Sequence, residues 1–232
     1  MATVRVLSAG AARAVVERVA MAFERDGDEI RPDFGAVGTI RARILAGEAA
    51  DVIVLTAAMI EELTASGHVA AGSRSELGRV GTGVAVRAGT PLPDVSTARA
   101  LRGNLLAAER VVCPDPAVAT AGKVVMRMLE RLGVSEQVGP RLRFFPNGHA
   151  AMVWLAASRG ALEMGVTQIT EILPVAGVTY AGPLPEALQM KTVYAAGVAQ
   201  RAANPEGARE FIRRLSGPAA REMLARAGYE LD

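Results

Sequence analysis

The residues best suited to chemistry are few. His149, in "FFPNGHAAM", is one of two histidines in 232 residues. It follows an apolar run and stands at the mouth of a helical pattern. A neutral imidazole there can take a proton from carbon and return one elsewhere, donate a hydrogen bond to a ligand, or merely cap the turn; all three roles fit the position. Around it stand groups suited to an anion: Ser8, Thr39, Lys123, Thr167 and Gln168, with Arg13 and Arg41 near helix starts. Arg and Lys pair well with carboxylates.

Such residues need a scaffold, and the chain repeats one phrase: a β-rich run, a small-residue turn, then an amphipathic helix. "VRVLS" (4–8) leads to a helix from Ala11 to about Asp26. "IRPDFG" (30–35) leads to one near 39–47, and "DVIVLTA" (51–57) to one at 58–66. A long apolar strand at 75–90 breaks the rhythm, which resumes with strands before helices at 121–132, 149–158 and 169–173. A second long strand, "KTVYAAGVAQ" (191–200), precedes two C-terminal helices with Pro205 and Pro218 in their first turns. Strands alternating with helices predict an α/β fold with a mostly parallel sheet. With both long strands as crossovers, residues 1–80 and 197–232 form one lobe and 81–196 a second.

Ligands of open parallel α/β sheets sit beyond the carboxyl ends of the strands, where helix N-termini present amide donors and a partial positive charge. Five turns fall at such positions: Ser8–Ala12 with Gly10 and Ala11, Gly35–Thr39 with Val37 and Gly38, Thr120–Lys123 with Ala121 and Gly122, Asn147–His149 with Gly148, and Thr167–Thr170 with Gln168. Small residues there let backbone amides approach an oxyanion closely. Any one such turn equally serves just to reverse the chain. Five together point to a ligand cleft between lobes for a small anion.

Composition narrows the classes. Half the residues are apolar and 4% aromatic, so the core is built from Ala, Val, Leu, Ile and Met. The net charge is +2, and no basic run with interleaved aromatics suggests a nucleic-acid partner. No apolar stretch has the roughly 18 residues of a membrane span. Cys113 is the only cysteine and reads as a buried small hydrophobe. Two distant histidines without acidic residues at ligand spacing give no metal site, and no dinucleotide fingerprint or phosphate loop calls for a cofactor. Asp115 reads as a turn former and Asp51 as ordering the loop before its strand; Glu171 either orients His149 or faces solvent. "MATVRVLSAG" enters a strand directly, without the regions of a signal peptide. That reads as cytoplasmic, or as periplasmic if a leader has been removed.

The segments "VLSAGAARAVVERVAMAFE", "PDFGAVGTIRARILAGEAADVIVLTA", "DPAVATAGKVVMRMLERLG" and "GPAAREMLARAGYEL" resemble the molybdate-type periplasmic solute-binding proteins, receptors of ABC importers. The resemblance implies a type II periplasmic-binding fold, two lobes joined by two crossover strands, hinge closure on an anion, and a permease partner if the protein is exported. It also exposes departures. Where that family places serines after the first strand and before the second helix, this chain has Ala11 and Val37, and Gln168 replaces its tyrosine. Each lost hydrogen bond to a charged group costs roughly 1.5–3 kcal/mol, which argues against molybdate and for an organic di- or tricarboxylate. "PNGHAAM" and "GVTQITEI" resemble the aconitate isomerase branch of the fold, which implies an allylic proton shift with His149 as acid and base.

Overall fold

A computed structural model describes residues 3–25 and 29–231. The expected end of the first helix, Asp26, lies outside them. The chain divides into two compact units: Met1–Val80 with Thr192–Asp232, and Gly81–Lys191.

The first unit opens with β1 (Thr3–Ala9), a 3-10 turn at Gly10–Ala12, α1 (Arg13–Arg25), β2 (Glu29–Gly35), α2 (Val37–Leu45), β3 (Val52–Thr56), α3 (Ala57–Ala65) and β4 (Ser75–Val80). The second holds β5 (Thr82–Arg87), α4 (Ala98–Ala107), β6 (Arg110–Pro114), α5 (Thr120–Arg131), α6 (Ser135–Val138), β7 (Leu142–Phe145), α7 (Gly148–Ala157), β8 (Glu163–Gln168), α8 (Ile169–Ile172) and β9 (Val178–Pro183). The chain then returns to the first unit as β10 (Thr192–Val198), α9 (Pro205–Ser216) and α10 (Arg221–Arg226).

Each unit has a five-stranded sheet, ordered β2-β1-β3-β10-β4 in the first and β7-β6-β8-β5-β9 in the second. In both, three strands run parallel, and the fourth, a strand from the other end of the unit's sequence, pairs antiparallel with the third. Parallel neighbours connected by helices bring the helix starts to one edge of each sheet. The strand β3, "VIVLT", is buried along its whole length, as expected of a central strand with helices on both faces.

The structure corrects the strand limits at both crossings. The apolar run at 75–90 is two strands, β4 and β5, parted at Gly81 and belonging to different sheets. The return falls at Thr192 rather than 197, because the whole of β10 is hydrogen-bonded to β3 and β4 of the first sheet. Three elements not expected from sequence, α4, α6 and β9, complete the second unit.

Asp51 is more than a loop former. It is 2% exposed, and its carboxylate accepts the amides of Arg5 and Asn204, each at 2.8 Å. The first bond ties β3 to β1, and the second fixes the residue that caps α9. The apolar face of α9 buries Ala208, Phe211, Ile212 and Leu215, and Phe211 meets Phe23 of α1 with ring centroids 5.6 Å apart. Phe211→Ala is expected to destabilise the protein by about 3–5 kcal/mol, read as a lower midpoint in urea unfolding with an unchanged slope.

Candidate functional site

Three of the five helix starts that sequence singles out share a feature. The turn leading into α1, and helices α2 and α5, have Ala9, Ala36 and Ala119 at their N-cap positions, and no side chain caps them. By contrast Thr56, Thr97, Asn147 and Asn204 cap α3, α4, α7 and α9 with side-chain oxygens. Alanine in place of such a cap costs about 0.5–2 kcal/mol, and it leaves the first-turn amides to another acceptor.

In the first unit the register sets Ala9 beside Gly35, so that the turn before α1 and the start of α2 leave neighbouring parallel strands at one edge. Ala11 and Val37 are buried among apolar neighbours, and the Ala11 carbonyl accepts the Tyr229 hydroxyl at 3.3 Å. Gly38 is half-buried and Thr39 exposed in the first turn of α2. Arg13 lies with its guanidinium 4.1 Å from the centroid of Phe34 and pairs with Glu17 at 3.0 Å; its Nε is buried without a hydrogen-bond partner. Two residues expected to serve a ligand are engaged elsewhere. Ser8 is fully buried and its hydroxyl donates to the Ala9 carbonyl, and Arg41 is paired with Glu62.

In the second unit β6 carries both neighbours, pairing parallel with β7 and β8. At the start of α5, Ala121 and Gly122 are buried and Lys123 is exposed. A Cβ on Gly122 would lie 2.4 Å from the Pro114 carbonyl oxygen, so only glycine lets this helix start so close to the strand end. Asp115 is the turn former sequence suggests, its carboxylate accepting the Ala117 amide at 2.8 Å.

The start of α7 is built differently. Asn147 caps it through the Ala150 amide at 2.8 Å, and His149, half-buried, is its second residue. The amide of Gly148 is not offered outward: it donates to Glu171 Oε1 at 3.1 Å, while the Thr167 hydroxyl donates to Glu171 Oε2 at 2.7 Å. Glu171 is 6% exposed, which excludes the solvent-facing alternative. Gln168, at the end of β8, is buried beside Thr82 of β5, whose hydroxyl oxygen, like that of Thr170, is buried without a hydrogen-bond partner. Buried polar atoms of this kind are satisfied by water or a ligand. Sequence reasoning missed Thr82 because its strand was expected to run unbroken through Gly81.

No group of three His, Cys, Asp or Glu among the described residues is placed to hold a metal ion. The Cys113 thiol is fully buried; that burial, with the nearby Asp115 charge, pushes it up to about 12. It is no nucleophile at neutral pH.

Two α/β units of one strand order, each gathering small-residue helix starts at the carboxyl ends of its parallel strands, define a solute-binding protein of the periplasmic-binding type. The chain belongs to the family described as bacterial extracellular solute-binding protein, which matches residues 4–230. Among curated proteins, an aconitate isomerase from Pseudomonas sp is 29% identical over 98% of this chain and 87% of its own. Among solved structures, the periplasmic molybdate-binding protein of Azotobacter vinelandii superposes with a TM-score of 0.83 at 22% identity, covering 99% of both chains. The sulfate-binding protein SubI from Mycobacterium tuberculosis H37Rv gives 0.75 at 15% identity, over 99% of this chain and 86% of its own. The resemblance drawn from sequence is thus borne out at the level of family and fold. Among the described residues no helix is long and apolar enough to cross a membrane.

Two outcomes follow from this geometry. Cys113 is expected to resist a thiol-specific disulfide reagent at pH 8 in the native protein and to react fully in guanidinium. Gly148→Ala would bring its new Cβ to 2.0 Å from Thr167 Oγ1 and 2.1 Å from Glu171 Oε2. It is expected to destabilise the protein by about 1–3 kcal/mol, measured by denaturant unfolding, through overpacking at this buried pair.

Proposed function

We propose that this chain binds a small organic di- or tricarboxylate through the helix starts of its carboxyl edges, in preference to molybdate. The observation that carries this reading is the contrast between capped and uncapped helices: at the starts of α1, α2 and α5 the donors present are backbone amides, with Arg13, Thr39 and Lys123 close in sequence. Planar carboxylates suit amides and Arg or Lys. A tetrahedral oxyanion loses the hydroxyl donors absent at Ala11 and Val37.

A second reading, isomerisation of an unsaturated tricarboxylate, is favoured by His149 at the start of α7 and by the similarity to the Pseudomonas aconitate isomerase. In such a step the imidazole removes a proton from the carbon adjacent to the double bond. The electron pair of the broken C–H bond forms the new double bond, and the pair of the old one takes a proton back at the far carbon, with no oxidant or reductant involved. On the receptor reading, the partner is an ABC importer permease.

Thermal-shift titration with cis-aconitate, trans-aconitate, citrate, sulfate, phosphate and molybdate tests the first reading. Stabilisation by the carboxylates above the inorganic anions is expected, and the reverse order rejects it. A proton NMR time course on either aconitate isomer tests the second. Conversion that falls at least about a hundredfold in His149→Ala, with binding retained, is expected for an acid–base residue. Binding without conversion makes His149 a ligand contact only.

A further inference from the structure

Thr82 opens β5 at the carboxyl edge of the second sheet, because β5 runs antiparallel to β8 and Thr82 is paired with Gln168, the last residue of β8. Its backbone is fully engaged. The amide donates to Gln189 Oε1 at 2.8 Å, and the carbonyl accepts Gln189 Nε2 at 2.8 Å and the Leu184 amide at 3.0 Å. Gly81 and Gly83 on either side carry no side chain, and a Cβ on Gly83 would lie 2.6 Å from Tyr180 Cε2. The residue is thus held in place, yet its hydroxyl is buried, the residue being 0% exposed, and has no hydrogen-bond partner.

Alternation along the strand says where that side chain lies. Val84 and Val86 share the face of Thr82, and both pack in the core cluster that holds Val124, Val125 and Met128 of α5. Directly paired residues point to one face, so Gln168 lies beside Thr82 on the same side. Thr82 therefore ends a row of valines on the α5 face. Helix α5 packs on β6 and β8, and its N-cap, Ala119, supplies no side-chain acceptor to the first turn. A valine at 82 would have nearly the same shape and would complete the row without an unpaired hydroxyl. A buried hydroxyl left unpaired is destabilising, and a partner from outside the chain offsets that cost.

We propose that Thr82 is a further ligand-binding residue, whose hydroxyl donates a hydrogen bond to a carboxylate oxygen of a ligand held at the start of α5. The inference rests on the carboxylate reading above. The direction of a threonine hydroxyl is set by one torsion, so a single step between staggered χ1 wells turns it from its packed position to the carboxyl edge. The two bonds to Gln189 fix the backbone of Thr82 through that step. The contact serves the receptor and the isomerase readings alike, because both grip a carboxylate.

The test uses Thr82→Val, which keeps the shape and removes the hydroxyl, beside Thr82→Ser, which keeps the hydroxyl and removes the methyl. Urea unfolding is measured without ligand, and dissociation constants are measured for trans-aconitate, citrate, sulfate and molybdate, in both variants and the wild type. Thr82→Val is expected to unfold at the same or a higher urea concentration than the wild type, because the unpaired hydroxyl is gone. It is expected to bind the carboxylates at least about tenfold more weakly, as the loss of one hydrogen bond to a charged group requires. Thr82→Ser is expected to keep most of the wild-type affinity. Unchanged carboxylate binding in Thr82→Val overturns the proposal. Where Thr82→Val weakens folding and binding together, an equal loss of binding in Thr82→Ser overturns it, and binding recovered in Thr82→Ser upholds it. A Thr82→Val protein that does not fold also overturns it, since the hydroxyl then serves the fold. If the wild type binds sulfate or molybdate but no carboxylate, the carboxylate reading fails by itself, and the same comparison on that anion decides the role of Thr82. A wild type that binds none of the four overturns both.

Discussion

A backbone amide in the first turn of a helix has no partner within that helix, and this constraint organises the protein. Every parallel strand that feeds a helix brings such donors to one edge of its sheet. The chain answers in three ways. At α3, α4 and α9 a threonine or asparagine oxygen takes the amide. At the turn before α1, at α2 and at α5, an alanine stands in the capping place and no side chain takes the amides. At α7 the answer is mixed, with Asn147 capping one amide and a carboxylate from α8 taking another.

The two buried carboxylates show how one chemistry serves different ends. Asp51 accepts two amides from distant parts of the first unit and joins β1, β3 and the start of α9. Its bonds lie at the amino end of the strands, away from the small-residue turns, so its charge is spent on assembly. Glu171 accepts an amide and a hydroxyl at the carboxyl edge of the second unit, among the very residues sequence reasoning assigns to a ligand. Burying either charge without such donors would cost several kcal/mol. The donors make both sites stable, one at the amino end of its strands and the other at the carboxyl edge of its sheet.

Much of this was legible in the residues. Strand and helix periods differ, and the small-residue turns mark where one passes into the other, so the repeated phrase and the order of most elements follow from the sequence. The crossing at Gly81 did not, because "GRVGTGVAVR" is apolar on both sides of the break and both halves are strand. Helix α4 was hidden by Gly103 within it and by the Pro- and Ser-containing stretch ahead of it, and β9 by its half-buried, unpatterned sequence "VTYAGP". Of the site, the positions of the helix starts were legible but their partners were not. Ser8 and Arg41 are of the right type, yet one is sealed under its own strand and the other is drawn to Glu62, which only tertiary structure determines. The alanines at the capping positions were a signal in plain view, since they leave first-turn amides without a side-chain acceptor.

A solute-binding fold is a short step from catalysis for a physical reason. Gripping an anion with backbone amides fixes donors in place before the ligand arrives, and preorganised donors stabilise charge wherever it develops. Removing a proton next to a carboxylate builds negative charge on that carboxylate, so a grip made for the ground state already favours the carbanion-like transition state. What such a binder lacks is a group that carries the proton, placed against carbon rather than against an oxyanion. In this chain the first amide of α7, just ahead of His149, is already taken by an internal carboxylate.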